Sequence, residues 1–460
     1  MTIRHTFAAI SLCGLGAIQL TAQAPAGGAA SVTFARDVAP IFYKNCTNCH
    51  RPGEIAPMSL LTYTDARPWV RSIGTKVANG TMPPWHADPA YGHFLNNRRL
   101  SDADKATIAK WIAAGAPEGN PSDLPPQPVY AEGWTIGKPD AVFAIQEDYP
   151  IPVSGEIAYQ YLEIPTNLTE DKWVQAFEVK PGDPKALHHV IVYARPPAPA
   201  TPPAPPAQAA AGQRPAPLFD FAPNMDIPAG QTGGRPLPPE QRKPVGPNDR
   251  PPVRLGPAVG GFAPGQLIRV YQDGTAMKLP AGTTLVFQMH YTTYGKASTD
   301  RTRLGVKYAK TPPTTQLRWA SLANGALHIP AGDADHREDA EMTIGQDITL
   351  WSMLPHTHVR GKRWIYEVTY PDGKKETILS VPTYDFNWQT DYVFTQPVKF
   401  PKGTKLHATA WYDNSTANKS NPDATKEVWW GDQTWEEMMF TGLTFSIDPA
   451  KQSNTAGQQQ

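Results

Sequence analysis

Trp351-Ser-Met-Leu-Pro-His-Thr-His-Val-Arg-Gly-Lys362 leads into Arg363-Trp-Ile-Tyr-Glu-Val-Thr-Tyr370, and the two runs together set the reading of the chain. The second run alternates in β fashion and stops at Pro371-Asp-Gly373, a turn signal. On a strand, residues two apart share a face, so His356 and His358 would stand side by side. Paired imidazoles are a suitable start for a metal site. The pattern is weak by itself: twelve histidines in 460 residues give roughly 0.3 chance His-x-His pairs.

The surrounding sequence is β-like. From Tyr130 onward the chain offers short, β-branched or aromatic runs bounded by turns. Examples are Ala158-Tyr-Gln-Tyr-Leu-Glu-Ile164, Val174-Gln-Ala-Phe-Glu-Val179, Thr284-Leu-Val-Phe-Gln-Met-His-Tyr291 and Leu406-His-Ala-Thr-Ala-Trp-Tyr412. No long helical pattern interrupts them, which predicts antiparallel β-sandwich rather than α/β structure. Three more spots carry ligand-type side chains. His188 and His189 adjoin in Leu187-His-His-Val-Ile-Val192, and neighbours on an ideal strand face opposite ways. One metal for both therefore needs a strand end or a kink, which Pro184 allows; the bland alternative is one surface and one core histidine. His290 stands alone in a strand-like run, where a histidine is more often a satisfied core residue. Met438, in Thr434-Trp-Glu-Glu-Met-Met-Phe440, would by itself be core filler.

The first part of the chain reads differently. Residues 1–24 have the form of a secretory signal: Arg4 and His5, an apolar run from Phe7 to Leu20, then Ala22-Gln-Ala24. The run is too short for a membrane span, and no later stretch is long enough, so no integral membrane segment is expected. The mature chain would hold only Cys46 and Cys49. These belong to Cys46-Thr-Asn-Cys49-His50, the C-x-x-C-H heme-attachment pattern, in which two thiols bond the porphyrin and the histidine ligates iron. A redox C-x-x-C pair with an incidental histidine ranks lower, because no βαβ pattern surrounds it. Phe34 to Tyr43, Thr64 to Asn79 and the segment from Ser101 to Gly115 read as helices around it, the last with a capping-box start. Small helices around a heme resemble class I cytochrome c domains. That resemblance implies a thioether as second iron ligand, with Met82 the best candidate and Met58 and His86 the alternatives. Leu124-Pro-Pro-Gln-Pro128 marks a boundary, and residues 196–258 form a Pro-rich, low-complexity insert expected to be disordered or loosely draped. Net charge is zero with no basic block, and no nucleic-acid partner is expected.

Taken in order, the ligand-type residues resemble those of the copper type II monooxygenases, the family of peptidylglycine α-hydroxylating monooxygenase and dopamine β-hydroxylase. In that family a His-His pair and a later histidine from one β domain hold one copper, and a His-Thr-His pair and a methionine from a second hold the other. Here these would be His188, His189 and His290, then His356, His358 and Met438. His290 carries Gln288 and Tyr291 as the family does. Met438 follows an acidic residue and is preferred to Met439 on that ground. Where peptide-amidating members have an arginine and a tyrosine for the substrate carboxylate, this chain has Leu354 and Gly442, so a less charged, roomier pocket is implied.

The expectation is thus an exported, periplasmic or secreted, copper-dependent monooxygenase. It would carry two copper ions and one covalent heme c, and would hydroxylate a C–H bond of an unknown organic substrate with O₂. Electrons would come from ascorbate or a periplasmic redox protein. The alternative is a non-catalytic electron-transfer or copper-binding heme protein. The architecture expected is a signal (1–24), an all-α cytochrome c domain (25–125), two antiparallel, jelly-roll-like β domains (126–315 and 316–448) and a disordered tail (449–460).

Overall fold

Alternating apolar and polar residues build most of the chain into twisted sheets. The computed structural model describes residues 31–131, 133–197, 218–221, 255–263 and 268–449. The expected signal, nearly all of the expected tail and most of the Pro-rich insert lie outside these. Among the described residues no helix is long and apolar enough to cross a membrane.

The largest sheet has nine strands. Its order is Ala141–Ala144, Arg303–Tyr308, Lys172–Lys180, Thr275–Leu279, Thr315–Ala323, Phe440–Ile447, Ile348–His356 and Tyr392–Phe400, with Ile268–Val270 also paired to Lys172–Lys180. A four-stranded sheet, ordered Gln160–Pro165, Thr284–Tyr291, Leu187–Arg195 and Ala258–Phe262, packs on one half of it. Phe177, Val190, Leu285, Phe287 and Leu304 fill the space between. A five-stranded sheet, ordered Lys375–Val381, Gly361–Thr369, Lys405–Tyr412, His336–Ile344 and Phe219–Phe221, packs on the other half. There Leu350, Met353, Trp364, Tyr366 and Leu443 form the core. The β-rich part is therefore a sandwich. Thr315–Leu317 pairs in parallel with Thr275–Met277, so a single sheet runs through both halves. Within the expected insert, Phe219–Phe221 is a strand on the edge of the five-stranded sheet, paired to Met342–Ile344.

The expected all-α cytochrome c domain is not what forms. The helices are short, the longest being the twelve residues Asp102–Ala113 capped by Ser101, and the chain is mostly β. The single helix expected from Thr64 to Asn79 divides at Pro68 into Tyr63–Ala66, a 3₁₀ turn Arg67–Trp69 and Val70–Ala78. Phe34, Phe42, Ile108 and Trp111 pack as a small satellite core. The rest of the segment is not self-contained. Trp85, Ala87 and Phe94 belong to the core of the second β half. The Leu95 N–H donates to the Val393 carbonyl, and the Thr395 N–H to that of His93. Residues 93–95 thereby cover the outer edge of the strand Tyr392–Phe400, an edge that would otherwise expose unpaired backbone.

Candidate metal centre

Two adjacent histidines can face one point because the strand bulges between them. His290 pairs with His189, but Tyr291 pairs with Leu187, so the ladder skips His188. A bulge turns the extra residue toward its neighbour's face. The Nδ1 of His189 lies 3.2 Å from that of His188 and 3.3 Å from that of His290. One ligand atom from each of the three rings lies within 4.8 Å of the other two. Two of the far nitrogens are engaged. Nε2 of His189 meets the Tyr159 hydroxyl at 3.1 Å, and Nε2 of His290 meets the Thr434 hydroxyl at 2.9 Å. With Nε2 donating to these hydroxyls, the Nδ1 lone pairs turn inward, the arrangement a metal needs.

The second group rests on a different register. His356 ends the strand Ile348–His356 and pairs with Phe440, which brings Met438 and Glu437 beside the turn that carries His358. His358 is therefore in a turn, not on a strand. The carboxylate of Glu437 shapes that turn, accepting from the backbone N–H groups of His358 and Arg360 at 2.7 Å each and of Met438 at 3.1 Å. Here the Nδ1 atoms point outward: His356 donates to Gln389 Oε1 at 2.8 Å and His358 to the Glu436 carbonyl at 3.0 Å. That leaves Nε2 as the inward atom of each ring. Among the described residues, Nε2 of His358 is buried with no hydrogen-bond partner. Orphaned buried nitrogens are rare and call for something to satisfy them. His356, His358 and Met438 line one cavity together with Tyr159 and His189.

The two groups are neighbours. The ring centroids of His189 and His356 are 6.1 Å apart, and Phe386 packs against His188, His189, His290 and His358. Burial, reinforced by the crowding of imidazoles, holds His189 and His290 well below the usual histidine pKa. Burial alone is the leading cause for His356, pushed down to about 4, and His358, to about 3. All are thus neutral bases, the form that ligates metal. The donor set suits copper: imidazoles serve both redox states, and a thioether favours the cuprous one. A cavity adjoins the group, lined mostly by apolar residues such as Val190, Ile191, Leu354 and Phe440, with His189, Gln389 and the Arg269–Asp391 ion pair also at its wall.

Cys46 and Cys49 are free thiols rather than a disulfide. Burial pushes Cys46 up to about 12. A redox-active C-x-x-C pair needs the opposite, a lowered thiol pKa. Nδ1 of His50 meets the Met58 carbonyl at 3.2 Å, which leaves Nε2 free on the opposite side of the ring. Residues of this kind fit a covalently held heme: two unpaired thiols and an oriented imidazole. Met58 engages His50 through its carbonyl on the side away from Nε2. Met82 lies in the turn after Val70–Ala78, its N–H donating to the Lys76 carbonyl at 3.1 Å.

Sequence reading missed Gln389, Tyr159, Phe386 and Glu437. Only Glu437 had a signal, as the acidic residue before Met438. The histidines left without a role have ordinary polar partners: His328 with Glu427, His336 with Asp333 and Glu338, His407 with Asp339.

No protein-family model matches the chain, and no curated protein does. Among solved structures, an allantoicase is 8% identical, covering 58% of this chain and 81% of its own at a TM-score of 0.14. The allantoicase of Saccharomyces cerevisiae is 9% identical, covering 58% and 80%, also at 0.14. The coconut allergen cocosin is 7% identical, covering 67% and 85%, at 0.10. Likenesses this slight carry no argument about fold or activity.

Proposed function

We propose that the protein is an exported copper-dependent monooxygenase of the peptidylglycine α-hydroxylating and dopamine β-hydroxylase type. Its two coppers would be held by His188, His189 and His290 and by His356, His358 and Met438. The reaction class is RH + O₂ + 2e⁻ + 2H⁺ → ROH + H₂O, with electrons delivered through a heme c attached at Cys46 and Cys49 and ligated by His50. The observation that carries the reading is the buried Nε2 of His358, without a hydrogen-bond partner among the described residues, in a side chain that lines one cavity with His356, Met438 and His189.

Copper, when bound, supplies one-electron storage in two accessible oxidation states, which O₂ chemistry at an unactivated C–H bond requires. The remaining work falls to the chain. The bulge at His188 and the partners Tyr159 and Thr434 aim one set of imidazoles. Gln389 and the Glu436 carbonyl aim the other. Leu354, Gly442 and Phe440 give the adjoining cavity an apolar wall, and the ion pair of Arg269 with Asp391 also lines it. A small substrate with an apolar part fits that wall.

Metal and heme quantitation on the full chain tests the reading. Two coppers and one heme are expected. His358→Ala should lose one copper and all oxygen-dependent turnover while the heme and the three-histidine copper remain. A wild-type protein that takes heme but no copper would leave only the electron-transfer alternative.

A further inference from the structure

Gln389 is 4% exposed and lies between the two histidine groups. One amide touches both. Its Oε1 accepts from Nδ1 of His356 at 2.8 Å, and its Nε2 approaches Nδ1 of His189 at 3.3 Å. The same Nε2 also donates to the Phe386 carbonyl at 3.3 Å.

The two contacts have opposite consequences for a metal. Accepting a hydrogen bond from Nδ1–H of His356 fixes that ring with its lone pair on Nε2, which favours ligation. Donating to Nδ1 of His189 occupies the lone pair on which His188 and His290 converge, which opposes ligation. An imidazole nitrogen has one such lone pair and cannot serve both. The other N–H of that amide already goes to the Phe386 carbonyl, so giving up His189 leaves one buried donor to be satisfied, a cost the metal has to offset.

We propose that Gln389 is a positioning residue that couples the two metal groups, its amide oxygen holding His356 in the ligating tautomer while its amide N–H competes with a metal for His189. The inference rests on the reading of both groups as metal sites. Loading of the three-histidine site then requires the amide to let go of His189 without letting go of His356. The two sites are linked through one side chain, and removing it moves their affinities in opposite directions.

The test is a cuprous-ion titration of the full chain, in competition with a chromophoric chelator, on the wild type, Gln389→Leu and Gln389→Glu. In Gln389→Leu the three-histidine site is expected to bind about tenfold more tightly and the His356, His358, Met438 site about tenfold or more weakly, the scale on which outer partners of ligating histidines act. In Gln389→Glu the carboxylate still accepts from His356 but donates nothing to His189. The first site should tighten and the second should not weaken. Unchanged affinities in both variants, or a parallel loss at both sites in both variants, overturns the proposal. A wild type that binds no copper overturns the metal reading and this inference with it. Nitrogen NMR of the metal-free protein gives a separate readout: His356 should be Nδ1-protonated in the wild type and in Gln389→Glu, and lose that preference in Gln389→Leu. A His356 tautomer indifferent to residue 389 counts against the proposal whatever the titration shows.

Discussion

At the scale of single residues, the His-Thr-His turn depends on an absence. A Cβ on Gly361 would lie 1.7 Å from Oγ1 and 2.7 Å from Cβ of Thr357. Thr357 has nowhere to retreat, since it is fully buried and both its backbone N–H and its carbonyl bond the Tyr384 hydroxyl, at 3.2 and 3.0 Å. Gly361→Ala is therefore expected to destabilise the fold by about 1–3 kcal/mol, as overpacking does. It should also lose the copper of His356, His358 and Met438 in preference to the other. Thermal denaturation and copper counting on the purified variant check both; an alanine variant with two coppers and the wild-type melting temperature contradicts the close-approach argument. The ligand-type residues could be quoted from sequence because their types and order are themselves a signal. Gln389 could not, since it meets His189 across 200 residues and His356 across 33, and no spacing rule marks a glutamine that acts only through tertiary contact.

At the scale of elements, strands were legible and their irregularities were not. The alternation in Thr284–Tyr291 shows in the sequence, but the skip at His188 depends on the pairing of two strands that lie about a hundred residues apart. The helical segments failed for a related reason: apolar spacing persists across Pro68, while the backbone bond it needs does not. Residues 85–97 carried no β pattern at all, yet they close a sheet edge. Phe94 sits there with ring centroids 5.3 Å from Tyr392 and 5.2 Å from Phe394. Next to it, Asn96 donates to the Asp391 carbonyl at 2.7 Å and accepts from the Val393 N–H at 3.2 Å. Phe94→Ala should cost about 3–5 kcal/mol, the range for a truncated core phenylalanine. It should also free the edge. Limited proteolysis is expected to cut between residues 86 and 100 in the variant and not in the wild type. Equal resistance would mean that this contact is not what docks the segment. The strand it covers begins three residues after Gln389, so the segment that follows the N-terminal helices grips the stretch that leads to the two histidine groups.

For the molecule as a whole, the buried imidazoles make acid the natural denaturant of the metal-free protein. An unfolded histidine titrates near 6.5, whereas in the fold His356 is held to about 4 and His358 to about 3 by burial. A group whose folded value is depressed gives stability that is present above its unfolded value and lost as pH falls through the folded one. Each such histidine therefore costs about 1.4 kcal/mol per pH unit below 6.5. His189 and His290 shift the same way and add to the loss. Glu437 works against them. Burial raises it to about 7 despite its three backbone donors, so its contribution is present below its unfolded value and fades as pH rises through 7. Four imidazoles outweigh one carboxyl. The apo protein is thus expected to lose several kcal/mol between pH 6.5 and 4.5, visible as a falling urea midpoint at constant slope. Copper binds the folded, deprotonated rings, so loading should move the onset of that loss to lower pH. A midpoint in the apo protein that does not change between pH 6.5 and 4.5 would mean that these rings take up protons without unfolding, and that the histidine groups are open to water rather than enclosed between the sheets.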